Sequence, residues 1–240
     1  MRWLVATLVL GLCLPAAAVS GPAGVLVLAD SNGEGPFGGT LYDGLRAMRD
    51  PAGGALLHVL IFAKCGAGAI DFTSREWARI DCTAWTCDGG RAIAQCRHFN
   101  GGSIPDLAEL FRRLGAERRL TVVALGLNML FGERQAKLAQ AVALIEALKA
   151  NRSACVWVGP PQAGEGFFDV ARFNRFVADL KATVTAHGCR YIASDDKTDR
   201  RGFGAGSKDD HYSKDEATAW AKRVLAEMSH GLAEDLAKNP

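Results

Sequence analysis

Four short segments carry groups that could act together on a carbonyl carbon. Ala29-Asp30-Ser31-Asn32-Gly33 follows an apolar run and precedes a helical stretch, a position from which a serine hydroxyl can face a crevice. Asp209-Asp210-His211 stands just before the last helical stretch, after a glycine-rich loop from Gly202 to Gly206. A histidine there can act as a general base if its ring reaches the serine and a carboxylate fixes its tautomer. Gly126-Leu127-Asn128 closes another apolar run, where the asparagine amide can donate a hydrogen bond and Gly126 would let a substrate approach the backbone. Cys65-Gly66-Ala67-Gly68 follows a further run and offers backbone N–H groups from Gly66 or Gly68. A nucleophile, a base and donors aimed at developing negative charge are what acyl transfer through a covalent intermediate requires. Taken singly, each has an ordinary use: a capping serine, an exposed loop histidine, a turn asparagine.

The elements that must position these groups are legible as hydrophobic patterning. Five apolar runs of strand length, Val25–Ala29, His58–Ala63, Leu120–Leu125, Cys155–Val158 and Tyr191–Ser194, alternate with segments of helical period. Near-continuous apolar strands are those buried on both faces, so the predicted fold class is α/β: a five-stranded parallel sheet with helices on both sides. Leu138, Val142, Ile145 and Leu148 share one helical face, as do Phe173, Val177, Leu180 and Val184, with Gly188 as a stop. Ser213 and Glu216 have capping-box spacing at the start of the last helix, which turns Trp220 and Val224 inward. In open sheets of this kind ligands bind beyond the carboxyl ends of the strands, and all four segments are expected there. The stretch from Cys65 to Gly102, rich in Cys, Gly and Trp, shows no sustained period and is expected to be a disulfide-stapled loop excursion beside that edge.

The 240 residues are 49% hydrophobic and 22% charged, which suits one domain with a substantial core, assigned to residues 21–240. A formal charge of +2, with basic and acidic residues interleaved, gives no surface for tracking phosphates, so nucleic acid is not an expected partner. Residues 1–20 combine Arg2, a short apolar stretch and the small residues Ala16, Ala17 and Ala18, the pattern of a signal peptide; the stretch is shorter than the roughly 20 residues of a spanning helix. The protein is therefore expected to be exported, secreted or periplasmic, without stable membrane insertion, and monomeric. Beyond that segment lie Cys65, Cys82, Cys87, Cys96, Cys155 and Cys189, an even set that predicts disulfides, with Cys155 paired to Cys189. Cys82, Cys87, Cys96 and His98 are the alternative, as zinc ligands, although they lack the paired spacing of zinc modules. No glycine-rich phosphate loop occurs, and no cofactor or metal is expected.

The set of segments resembles the SGNH/GDSL hydrolase superfamily, in its exported, carbohydrate-esterase-like branch. That family carries a Gly-Asp-Ser block after the first strand, a Gly after the second, Gly-x-Asn after the third and an Asp/His block before the final helix. Here the matching residues are Asp30-Ser31, Gly66 or Gly68, Gly126-Leu127-Asn128, and Asp209 with His211. The resemblance implies a flavodoxin-like three-layer fold, Ser31 as nucleophile, His211 as base, Asp209 as its orienting acid, and an oxyanion hole from Ser31, Gly66 or Gly68, and Asn128. It also implies ester hydrolysis through an acyl-enzyme, with a small acyl ester or an acylated polysaccharide as the substrate. Ala29 replaces the family glycine, and Lys208 occupies the place three before the histidine where the acid usually stands. The D-x-H spacing of Asp209 resembles members that act on O-acetylated polysaccharides; Asp210, Asp195 and Asp196 are the other carboxylates available, and some members use a Ser-His dyad. The alternatives are a lysophospholipase or thioesterase, its acyl channel lined by Phe72, Trp77 and Trp85, and an inactive polysaccharide-binding protein that kept the fold.

Overall fold

In a computed structural model, residues 21–74, 83–88, 91, 95–100, 105–161, 169–194 and 212–238 are described. Residues 1–20, for which a signal peptide is expected, and Cys82, Trp77, Asp195, Asp196, Lys208, Asp209, Asp210 and His211 lie outside them.

The chain runs β1 (Ala23–Ala29), α1 (Pro36–Ala47), β2 (His58–Lys64), β3 (Thr83–Asp88), β4 (Arg97–Asn100), α2 (Leu107–Leu114), β5 (Arg118–Ala124), α3 (Arg134–Ala150), β6 (Ser153–Val158), α4 (Val170–Ala186), β7 (Arg190–Ile192) and α5 (Lys214–Ala237). The sheet has seven strands in the order β4-β3-β2-β1-β5-β6-β7. Five of them, β2-β1-β5-β6-β7, are parallel and correspond to the five apolar runs. Their order is the doubly wound, flavodoxin-like one, whose direction of winding reverses at β1. The other two correct the sequence-based expectation: part of the Cys65–Gly102 stretch is a β3–β4 pair, added antiparallel to β2 at the sheet edge.

Every residue of β1 is buried, and alternation divides them between two cores. Leu26 and Leu28 face α2, α3 and α4, represented by Leu110, Leu144 and Leu180. Val25, Val27 and Ala29 face α1 and α5, represented by Leu41, Trp220 and Val224. Helix starts are fixed by side chains: Asp106 accepts from Glu109 N–H at 2.7 Å, Asp169 from Ala171 N–H at 2.8 Å, and Ser213 with Glu216 forms the expected capping box. Gly188 follows α4 at φ +87°, as its stop. Val142 and Val177 are only partly buried, their places in the stripe being taken by Ala141, Leu144 and Phe176.

Cys155–Cys189 is a disulfide, as expected, and ties β6 to the start of β7; Cys87–Cys96 closes the segment between β3 and β4. Cys65 is also disulfide-bonded. The zinc alternative fails on covalent grounds, because two of its four ligands are bonded to each other. No helix among the described residues is long and apolar enough to cross a membrane.

Candidate active site

Parallel strands deliver their following loops to one edge of the sheet, so the segments after β1, β2 and β5 share it. After β1, the buried Asp30 carboxylate accepts from Asn32 N–H at 3.0 Å and from Asn32 Nδ2 at 3.1 Å, while Gly33 N–H reaches Asp30 C=O at 2.9 Å. The product is one 3-10 turn, Ser31–Glu34, with Ser31 at its head. The first N–H groups of such a turn have no partner within it. Ser31 is half-buried, and neither its N–H nor its Oγ is hydrogen-bonded among the described residues.

Glu34, the last residue of that turn, was not singled out from the sequence and proves to be a clamp. Its carboxylate accepts from Cys65 N–H, past the end of β2, and from Thr83 Oγ1, at the start of β3. Burial raises its pKa above the ordinary 4.5, opposed by the Thr83 and Cys65 hydrogen bonds and by the positive charge of His98 and Lys64. The readable signal was a lone carboxylate within a glycine-rich, otherwise apolar block.

Beyond β2, Ala67 N–H reaches Lys64 C=O at 3.1 Å, closing a tight turn whose third residue, Gly66, stands at φ +71°. A side chain would be strained there. The two glycines left open by the sequence are now distinguished. Gly68 N–H is committed to Asp71 Oδ2 at 2.7 Å in a buried bond, whereas Gly66 N–H has no partner among the described residues.

Beyond β5, the turn Leu127–Leu130 carries Asn128, whose Nδ2 donates to Ala67 C=O at 3.2 Å. An amide has two N–H bonds, so one remains after this contact. The end of β5 is held by the buried Trp157 indole, which donates to Leu125 C=O at 3.1 Å. Gly126 has a different use from the one expected: a side chain on it would meet the Pro160 ring, with Cβ only 2.7 Å from Pro160 Cβ. The space beside it is thus filled by protein rather than held open for a substrate.

The structure therefore brings together the Ser31 turn, the Gly66 loop and Asn128, through the bonds Glu34–Cys65 and Asn128–Ala67. Asp209, His211 and the reserve carboxylates Asp210, Asp195 and Asp196 lie outside the described residues, but residues on either side of that segment are placed. Trp220 Nε1 donates to Ser194 Oγ at 2.9 Å, and the Trp220 ring lies 5.9 Å from that of Tyr212. The same indole stacks on Phe37, in the first turn of α1, at 3.8 Å. Of the aromatic residues considered for an acyl channel, Phe72 packs against Phe62 in one core and Trp85 near Tyr42 in the other, so these two do not line a common channel.

No protein-family model matches the sequence, and no curated protein does. Solved structures do match in fold. An acetyl xylan esterase has a TM-score of 0.56 at 11% identity, over 85% of this chain and 98% of that one. The catalytic domain of peptidoglycan O-acetyltransferase A from Streptococcus pneumoniae gives 0.53 at 12%, over 90% and 97%. A GDSL-like lipase from Bacteroides thetaiotaomicron gives 0.52 at 13%, over 88% and 93%. The chain has the fold of the SGNH/GDSL hydrolases over most of its length.

Proposed function

We propose that the protein is a serine esterase that removes small acyl groups, O-acetyl above all, from carbohydrate hydroxyls. The observation that carries this reading is the meeting of three strand ends around a Ser31 hydroxyl that has no partner among the described residues: its own turn, the Gly66 loop and Asn128. Ser31 Oγ attacks the ester carbonyl while His211 takes its proton. The oxyanion is held by the Ser31 N–H, the Gly66 N–H and the second Asn128 N–H, and Gly68 is left to Asp71. Collapse breaks the ester C–O bond, and His211 protonates the departing sugar oxygen. A water molecule, activated by the same histidine, then cleaves the acyl-enzyme and restores Ser31.

Several features support the placing of His211 in this scheme. It is one peptide bond from Tyr212, whose ring packs beside Trp220, and Trp220 stacks on Phe37, which begins the helix that follows Ser31. Asp209 is its orienting carboxylate in this reading. Two fold neighbours, the acetyl xylan esterase and the peptidoglycan O-acetyltransferase, support a substrate of this class. The separation of Phe72 and Trp85 into opposite cores favours a small acyl group over a long chain. Disulfides support residence in an oxidising compartment, reached by way of residues 1–20.

The test is hydrolysis of an aryl acetate together with labelling by an organophosphonate. Ser31→Ala is expected to abolish both, and Asn128→Ala to lower kcat about 10²–10³-fold while the protein stays folded. Undiminished turnover by the Ser31 variant would exclude it as nucleophile; absence of both labelling and hydrolysis in the unmodified protein would favour a binding protein.

A further inference from the structure

Helices α3 and α4 both begin at the sheet edge that carries Ser31, and their first turns flank a cavity of about 310 Å³. Its floor is apolar: Met129, Leu130 and Phe176 are all nearly inaccessible. Its walls carry three guanidinium groups, Arg134 from α3 and Arg172 and Arg175 from α4. The cavity adjoins the candidate site through Met129, which follows Asn128 in the chain and lies against Gly68, where a Cβ would stand 3.7 Å from Met129 Cγ. Two of the three large apolar side chains exposed among the described residues, Phe131 and Val170, neighbour this cavity in sequence, the first beside Leu130 and the second at the start of α4.

Of the three guanidinium groups, Arg172 and Arg175 have no ion pair among the described residues. Asp179 pairs with Arg134 at 2.8 Å. Asp169 and Glu133, the carboxylates that precede α4 and α3, are turned to helix caps, Asp169 toward Ala171 N–H at 2.8 Å and Glu133 toward Ala136 N–H at 2.7 Å. Arg172 donates to Leu130 C=O at 2.9 Å, which holds its planar group beside the floor.

We propose that this cavity is a subsite for a carboxylate-bearing sugar residue of the acylated substrate, and that the esterase therefore acts on an acidic polysaccharide. The assignment rests on the esterase reading above and narrows its substrate class. A guanidinium binds a planar carboxylate through two parallel N–H bonds, and an apolar floor suits the C–H face of a pyranose ring. Arg175 is the principal contact and Arg172 orients the second.

The test uses binding, so that it does not depend on turnover. The unmodified protein is titrated calorimetrically with a short unacetylated oligogalacturonate and with a neutral galactan oligosaccharide of equal length. The acidic sugar is expected to bind at least about tenfold more tightly, to weaken as salt is raised, and to lose about tenfold in Arg175→Gln at an unchanged melting temperature. Equal affinity for the two sugars, indifference to Arg175→Gln, or no binding of either overturns the proposal; tighter binding of a phosphate-bearing oligosaccharide overturns the choice of carboxylate. If the acidic sugar binds while aryl acetate hydrolysis and Ser31 labelling both fail, the esterase reading falls and the subsite stands as a saccharide-binding site.

Discussion

The sheet continues from β1 in two directions, and its two flanks are held by different forces. Toward β5, β6 and β7 the strands are parallel, Val123 and Trp157 are wholly buried, and α3 and α4 cover them with Leu144, Ile145 and Leu180. Toward β3 and β4 the strands are antiparallel and much of the contact is polar. Arg113 donates to Asp88 at 3.0 Å and to Thr86 at 3.3 Å, Arg91 pairs with Asp88 at 3.1 Å, and Glu34 ties the start of β3 to the Ser31 turn. Asn128 belongs to the first flank and Gly66 to the second, so the proposed oxyanion donors depend on non-directional packing on one side and on a few directed bonds on the other.

The largest effect is expected from Trp157→Ala, which opens a cavity under β6 and removes the bond to Leu125 C=O. A loss of about 5 kcal/mol in urea unfolding is expected; a cost below about 2 kcal/mol would show that this flank does not rest on packing. The Cys155–Cys189 and Cys87–Cys96 disulfides sharpen the contrast. Cys155 and Cys189 are 34 residues apart and Cys87 and Cys96 only 9, so loop entropy predicts losses of about 4 and about 2.5 kcal/mol for the respective paired alanine variants. A reversed order would mean that the polar flank needs its bridge more than chain entropy implies.

The smallest effect is a pH dependence. Because burial raises the folded pKa of Glu34, the folded state binds more protons than the unfolded one in the window just above pH 4.5. Stability must then fall as pH rises through that window. Melting temperatures followed against pH are expected to show the unmodified protein losing ground relative to Glu34→Gln as pH increases. Parallel curves would remove Glu34 as a buried, titrating clamp.

This contrast also explains what the sequence revealed. The five parallel strands announce themselves because burial on both faces demands unbroken apolar runs, and the helices of that flank carry regular stripes. Cys155 and Cys189 flank one helix, and their pairing was readable from that. The antiparallel pair was missed because Thr83–Asp88 mixes Thr86 and Asp88 with its apolar residues, and Arg97–Asn100 contains a single apolar residue. Such edge strands are specified by their partner, a disulfide and side-chain bonds, none of which has a period.

At the site, the placement of Ser31 and Asn128 past strand ends was legible from the punctuation of those runs. The role of Glu34 was hidden, since it is defined by Thr83, 49 residues away. The choice between Gly66 and Gly68 turned on Asp71, three residues after Gly68 at a spacing that permits a carboxylate to cap the turn. Gly126 was misread because its neighbour, Pro160, lies on another strand's loop.

The stack of Phe37 on Trp220 joins residues near opposite ends of the described chain. Synthesis proceeds from the amino terminus, so α1 emerges early with Phe37, Leu41 and Leu45 uncovered and waits for α5. A polypeptide interrupted between residues 193 and 213 would carry every strand described above yet lack α5 and keep half of one sheet face naked, a ready target for chaperones or proteases. Docking of α5 is therefore the event that hides the sticky face of the nascent chain.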